Sequence, residues 1–407
     1  MTAYFPQTGT RDLLPLEVAQ KLWIAEGLQQ VYHQWGYQRI ITSTLEGMDT
    51  LMAGGAIDRA TVLAVSDGNG ASLGLRPELT ASIARTAVTR MAGDTNPQRL
   101  YYSANVFRRP GLNQQGQQLE LYQSGVELLH AAGERADAEI LLLLAAGLHR
   151  LGLTDWQVIL GEVSLTRSLL APFPPALRES VRRCLARLDR VALAALPLSP
   201  DLRDRALWLF DLRGQPAAVL QRVAALDLEP AAQGAVARLK TLLDWVQTSA
   251  IAPLPLTLDL SLLEPIDYYT GLVFEVVARP QQQFYLLGKG GRYDQLLALY
   301  DPTGQGGPGI GFALNLEAVH ACLLSSEQLP SVPPASDWLV IPQTAAATAA
   351  ALAYAAKLRD SEHLVRVELE LSERSPAESR AYARTSRIRY LAWVAADGTP
   401  EVEKLVP

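Results

Sequence analysis

The sequence predicts an α+β protein: a sheet-forming core, a block of helices set into it, and a small α/β domain at the C-terminal end. Three observations carry that prediction. Segments with period-2 alternation or β-branched runs occur before residue 164 and again after residue 250, whereas the stretch between is nearly all Leu, Ala and Arg at helical spacing. A Pro-rich segment with Pro330, Pro333 and Pro334 then separates the core from a strand-helix-strand pattern. At 407 residues the chain is long enough for two or three units, each with its own core.

The elements follow in order. After Pro15, apolar residues at Ile24, Leu28, Val31 and Trp35 mark one face of a helix over Leu16 to Trp35, which Gly36 ends. Tyr37 to Leu45, rich in Ile and Thr, suits a strand. Ala136 to Leu151 is a helix stopped by Gly152, and Trp156 to Leu160 a short strand. The helical insertion covers about 164–250, with Pro172, Pro174 and Pro175 breaking it early. Strands return at Leu256 to Leu260 and at Gly271 to Ala278, where Leu272, Phe274 and Val276 alternate with Val273, Glu275 and Val277. Gly-rich turns are expected at Gly288 to Gly291 and Gly304 to Gly311, the second opening onto an apolar run to Leu324. The boundaries expected are a core of residues 1–325, a linker over 326–337 and a last domain over 338–407. In that domain, Trp338 to Ile341, an Ala-rich helix to about Leu358 and His363 to Leu369 give the strand-helix-strand pattern.

Composition narrows the function. No apolar run approaches the roughly 20 residues that a bilayer span needs. The first residues carry no basic region followed by an apolar stretch, so a cytoplasmic protein is expected. Cys184 and Cys322 lack any paired spacing and read as core residues, and the five histidines are scattered without ligand spacing, so no metal and no cofactor are expected. The net charge of −6 makes nucleic acid a poor default partner, because such binding draws on Lys and Arg neutralising phosphates; a local basic patch would escape this average.

Six segments then occur in the order found in histidyl-tRNA synthetases of class II. Gly9-Thr10-Arg11-Asp12-Leu13-Leu14-Pro15 resembles that family's N-terminal signature, and Arg76-Pro77-Glu78-Leu79-Thr80 its amino-acid-binding segment. Phe107-Arg108 and Gln123-Ser124-Gly125-Val126-Glu127 bracket what resembles motif 2. Asp267-Tyr268-Tyr269-Thr270-Gly271 resembles the histidine signature, Gly290-Gly291-Arg292-Tyr293-Asp294 the Gly-rich segment after it, and Pro308 to Ala313 the start of motif 3. The resemblance implies a class II aminoacyl-tRNA synthetase-like core, an antiparallel sheet flanked by helices, in a dimer, with residues after 337 similar to a truncated anticodon-binding domain. It also implies a histidine pocket. Glu78, Thr80 and Gln123 would face the ammonium, Glu127 and Tyr269 the ring, and Tyr268 would be a further histidine-binding residue. The chemistry is apt: a carboxylate and an amide carbonyl suit an ammonium, and a carboxylate can take an imidazole N–H. The alternative is that these are retained packing or surface groups.

The pattern breaks where ATP would be activated. That chemistry needs cations around the triphosphate, yet Gln117 and Leu119 occupy loop positions usually basic, Ala318 follows Asn315-Leu316-Glu317 where the family has arginine, and Glu264-Pro265 stands where the family has Arg-Gly. Losing one such stabiliser costs about 10²–10³ in rate, so aminoacylation is expected to be absent. Ser43, where motif 1 usually has proline, puts interface details in question. Arg108 and Arg292 are left as contacts for a phosphate or carboxylate. A synthetase-like scaffold of this kind resembles the regulatory subunits of short-form ATP phosphoribosyltransferase. That resemblance implies a non-catalytic protein whose partner is the catalytic subunit of that glycosyltransferase, a homodimer within a hetero-octamer, and histidine as feedback ligand in histidine biosynthesis. The rival readings are a divergent but active histidyl-tRNA synthetase and a tRNA-binding regulator on the same scaffold. Against the second, the last domain mixes Arg380, Arg384, Arg387 and Arg389 with Glu368, Glu370, Glu373 and Glu378 and shows no clean basic stripe.

Overall fold

Proline in a first turn has the helical φ already set and lacks only an N–H that would go unpaired. The first helix begins in this way, running from Pro15 to Gln34 (α1) in the computed structural model, which describes residues 9–405 other than 56, 67, 69, 71, 95–96, 110–117, 227, 251 and 263–268. Ile24, Leu28 and Val31 are buried along one face, and Gly36 turns the chain at φ 80°. The single strand expected over Tyr37 to Leu45 is not formed. Only Gln38–Arg39 (β1) and Leu45–Gly47 (β2) are strands. Between them the Thr42 and Ser43 carbonyls accept from the buried Arg76 guanidinium at 2.8 and 3.3 Å, so a side-chain donor replaces the sheet ladder.

A helix Met48–Met52 (α2) and strands Ala64–Ser66 (β3) and Ser72–Leu75 (β4) follow, giving a three-stranded sheet ordered β2-β4-β3. Then come Thr80–Thr89 (α3), the long hairpin strands Gln98–Phe107 (β5) and Glu120–Leu129 (β6), Glu134–Arg150 (α4) and Trp156–Glu162 (β7). The next stretch is helical as expected: Val163–Leu170 (α5), Pro175–Ala186 (α6), Arg190–Ala194 (α7), Pro200–Leu209 (α8), Pro216–Ala224 (α9) and Pro230–Ser249 (α10). Its prolines start helices rather than merely interrupt them, since α6, α8, α9 and α10 all carry proline in the first turn. A two-residue strand, Arg213–Gly214 (β8), interrupts the block and pairs with Leu256–Asp259 (β9).

Leu272–Ala278 (β10), Tyr285–Arg292 (β11) and Gly309–Asn315 (β12) complete the central sheet, and Leu316–Leu323 (α11) follows. The nine strands run β1-β5-β6-β12-β11-β10-β7-β9-β8. Neighbours are antiparallel except β1 with β5 and β7 with β9. The predicted class, an α+β core with an antiparallel sheet flanked by helices, is the one observed. One face carries Val126, Leu128, Phe312 and Leu314 into a large core shared with α1, α4, α10 and α11; Cys184 and Cys322 are buried there. The other face packs Leu100, Tyr102, Val273 and Tyr293 against α3.

The Gly288 to Gly291 turn is a misreading, because these residues lie inside β11. Glycine is needed there for close approach and not for chain reversal. A Cβ on Gly291 would stand 2.7 Å from the Tyr269 ring, and one on Gly290 would run into Phe274. Likewise only part of Gly304 to Gly311 turns, with Gly309 onward in β12.

The chain divides into two compact units, residues 1–329 and 330–407. The smaller holds Trp338–Pro342 (β13), Thr348–Arg359 (α12), Val367–Leu369 (β14), Pro376–Thr385 (α13), Tyr390–Val394 (β15) and Pro400–Lys404 (β16). Its sheet runs β14-β13-β15-β16. Ser375 and Glu378 cap α13 reciprocally, satisfying two backbone donors at once.

Candidate functional site

Alternation along β6 puts Gln123, Gly125 and Glu127 on the sheet face opposite Ser124, Val126 and Leu128. Register then sets Glu127 beside Gly311 of β12, Gly311 beside Gly291 of β11, and Gly291 beside Val273 of β10. The Tyr269 ring covers Gly291 and the Glu127 carboxylate covers Gly311, so the two glycines give room for both side chains in the same row. Helix α3 begins above it, and Thr80 Oγ1 donates to Glu127 Oε1 at 2.7 Å. Tyr293 OH donates to Glu127 Oε2, whose position a side chain on Gly311 would occupy. Glu127 is only 1% exposed. Burial pushes its carboxyl up to about 8, against the hydrogen bonds from Tyr293 and Thr80, and the nearby Glu78 adds to the rise.

The other expected residues fall into distinct roles. Glu78 accepts from the first-turn N–H groups of Thr80 at 2.7 Å and Ala81 at 2.9 Å, anchoring the positive end of α3. Burial raises its carboxyl, opposed by those N–H groups and by the charge of Arg108. Gln123 is 8% exposed, and its Oε1 has no hydrogen-bond partner among the described residues, an unusual state for a buried amide. Tyr269 is buried with its ring over Gly291. Arg108 is exposed, its Nε donating to Pro77 O at 2.6 Å beside the Glu78 segment. The structure thus gathers Glu78, Thr80, Gln123, Glu127 and Tyr269 on one side of the sheet, with Arg108 near Glu78. Tyr268, Glu264, Asp267 and Gln117 lie outside the described residues.

Arg292 does not belong to this group. Strand alternation turns it to the opposite face, where it donates to Asp137 at 2.6 and 2.9 Å, to Asp294 at 3.0 Å, and to the Ala131 and Gly133 carbonyls. It is a buried tie between β11 and α4, on the face away from Glu127. The missed residue is its neighbour Tyr293. The signal was in the sequence, since the same alternation turns 289, 291 and 293 together, but charge drew the choice to Arg292. At the end of motif 3, Glu317 accepts from Tyr122 N at 3.0 Å and pairs with Lys21 at 2.6 Å, so this carboxylate fastens α11 to α1 and β6.

An antiparallel sheet with a buried glutamate held by two hydroxyls above a row of glycines, and a helix starting beside it, accords with the histidyl-tRNA synthetase class of protein, and that family's model matches residues 9–319. The fold agrees. A histidyl-tRNA synthetase from Nostoc sp. PCC 7120 superposes with a TM-score of 0.76 at 18% identity, covering 99% of this chain and 94% of that one. A Bacillus halodurans protein described as an ATP phosphoribosyltransferase regulatory subunit/histidyl-tRNA synthetase superposes with a TM-score of 0.81 at 26% identity, covering 97% and 99%. In sequence, the ATP phosphoribosyltransferase regulatory subunit of Gloeothece citriformis is 59% identical over 401 residues, 98% of each chain. That of Nostoc punctiforme is 56% identical over 402 residues, 99% of each. The chain belongs to the ATP phosphoribosyltransferase regulatory subunit family.

Proposed function

We propose that this chain is the non-catalytic subunit of a short-form ATP phosphoribosyltransferase, in which it activates a separate catalytic subunit and conveys feedback by histidine. The observation that carries the reading is the pairing of Glu127, fixed by Thr80 and Tyr293, with the partnerless buried oxygen of Gln123. A ligand with a ring N–H at one end and an ammonium near the other satisfies both groups, with Glu78 adding negative charge beside the ammonium. Burying Gln123 Oε1 unpaired costs about 1–3 kcal/mol, which such a ligand recovers.

Loss of catalysis follows from residue types: Ala318, Leu119, Gln117 and Glu264 offer no cation for a triphosphate. In the smaller unit Arg374 is paired with Glu370 and Arg380 with Glu403, which favours this reading over a tRNA-binding one. Ile41, Leu45 and Val65 present apolar side chains to solvent around β1 to β3, a surface suited to a homodimer within the hetero-octamer. Feedback then requires histidine to bind two assembly states unequally. Co-purification with a short-form catalytic subunit, and a rise in its turnover of ATP with phosphoribosyl pyrophosphate, is the expected result. A catalytic subunit that ignores the chain at micromolar concentrations overturns the proposal.

A further inference from the structure

The helical insertion carries a charge opposite to that of the chain as a whole. Residues 164–250 hold twelve Arg and Lys against eight Asp and Glu, a balance of +4 in a protein of −6. Three of these arginines meet at one place. From the end of α8 into β8 the side chains alternate: Phe210 and Leu212 are buried, while those of Asp211 and Arg213 are 57% and 43% exposed. Arg190, at the start of α7, lies over the Phe210 ring at 5.0 Å and donates to Asp211 Oδ1 at 3.0 Å. Arg222, in the last turn of α9, donates to Asp211 O at 2.6 Å. Arg213 stands across from Asp259 on β9, its Nε 3.4 Å from Asp259 Oδ2. Arg213 and Arg222 line an open concavity of about 470 Å³ together with Trp208, Phe210 and Asp211, and Arg190 flanks it through its contacts with the last two.

This arrangement suits a protein face better than a small anion or a polynucleotide. A site for a small ligand encloses most of it, whereas this concavity is open and has five residues around it. Donors are left over. A guanidinium has five N–H groups, and Arg190 and Arg222 each spend one on Asp211, while Arg213 makes only its longer contact with Asp259. Trp and Arg are also the side chains that carry most of the energy at protein interfaces. The Asp211 carboxylate amid the arginines calls for acidic groups interleaved with a donor, a pattern that a folded surface offers and a uniform phosphate backbone does not. The charge contrast adds orientation, because an acidic partner is repelled by the rest of the chain and drawn to the insertion.

We infer that the helical insertion docks an acidic face of the catalytic subunit, with Arg190, Arg213 and Arg222 receiving its carboxylates and Trp208 packing against it. The inference rests on the reading that this chain joins a catalytic subunit. Its test is the affinity of the full-length chain for a short-form catalytic subunit, measured by biolayer interferometry at about 0.05 and about 0.15 M salt. Wild type is compared with the pair Arg190→Gln and Arg222→Gln, and with Arg384→Gln and Arg389→Gln, which remove the same charge from the smaller unit. The two patch substitutions touch surface contacts only, and an unchanged thermal midpoint reports that the variant is folded; each is also measured singly. At the lower salt the patch pair should bind at least about tenfold more weakly, chiefly through slower association, each single change about threefold, and the control pair within about twofold of wild type. Equal affinity of wild type and patch pair, or equal weakening in the control pair, overturns the assignment and leaves the subunit reading standing. A gel shift with bulk tRNA that the patch pair abolishes, while its binding to the catalytic subunit is unchanged, overturns the assignment in favour of nucleic acid. A wild type that does not bind the catalytic subunit overturns the reading and the inference together.

Discussion

The buried Glu127 has a stability signature that Glu127→Gln should erase. Its carboxyl titrates at about 8 in the fold against an ordinary 4.5. At about 1.4 kcal/mol per pH unit, ionising it in place costs on the order of 5 kcal/mol more than in the unfolded chain. Below pH 4.5 both states hold the proton and the group contributes no slope. From there to about 8 the unfolded chain releases the proton and the fold does not, so stability falls as pH rises; above 8 both release it and the loss is complete. Gln is nearly isosteric, keeps an acceptor and does not titrate. Glu78 titrates from the same side but is present in both proteins, and the Tyr102 hydroxyl behind Gly125 is held well above the tyrosine range by burial. Urea midpoints measured by tryptophan fluorescence from pH 5 to 9 should therefore show Glu127→Gln gaining steadily on wild type up to about pH 8 and then running parallel to it. Midpoint curves parallel across the whole range would refute the reasoning.

Other outcomes follow from the same geometry. The purified chain should show no ATP–pyrophosphate exchange with histidine; exchange above background would restore the synthetase reading. Arg292→Ala leaves Asp137 buried beside a lost partner, and should cost about 3–5 kcal/mol in urea unfolding of the larger unit. A cost below about 1 kcal/mol would mean that the tie is ornamental. In sedimentation, the chain alone should be a dimer that an Ile41→Asp substitution dissociates, whereas a wild-type monomer contradicts the proposed interface.

How much of this was legible in the sequence depended on whether local pattern or tertiary partner decided each feature. The helices α1 and α4 and the helical insertion were readable because apolar period and proline or glycine punctuation agree with the packing. Glu127, Thr80 and Gln123 were reached through motif resemblance, and strand alternation alone gives the shared face of Gln123 and Glu127. The Tyr37 to Leu45 segment misled because its Ile and Thr content favours a strand, while the Arg76 guanidinium, far off in sequence, takes its carbonyls instead. Gly288 to Gly291 misled because glycine marks turns and close approaches alike, and only the Tyr269 and Phe274 rings tell which. Arg292 was preferred over Tyr293 on charge, when the parity of β11 decides the face.

The central claim is that feedback enters through the site at Glu127. It is tested most directly by titrating histidine against the turnover of the assembled phosphoribosyltransferase, with wild type and Glu127→Ala measured side by side. Removing the group that takes the ring should move the inhibition curve to higher histidine by roughly one to two decades, the scale of a lost charge-assisted hydrogen bond. Inhibition curves that coincide would contradict the claim and place the feedback site elsewhere in the assembly.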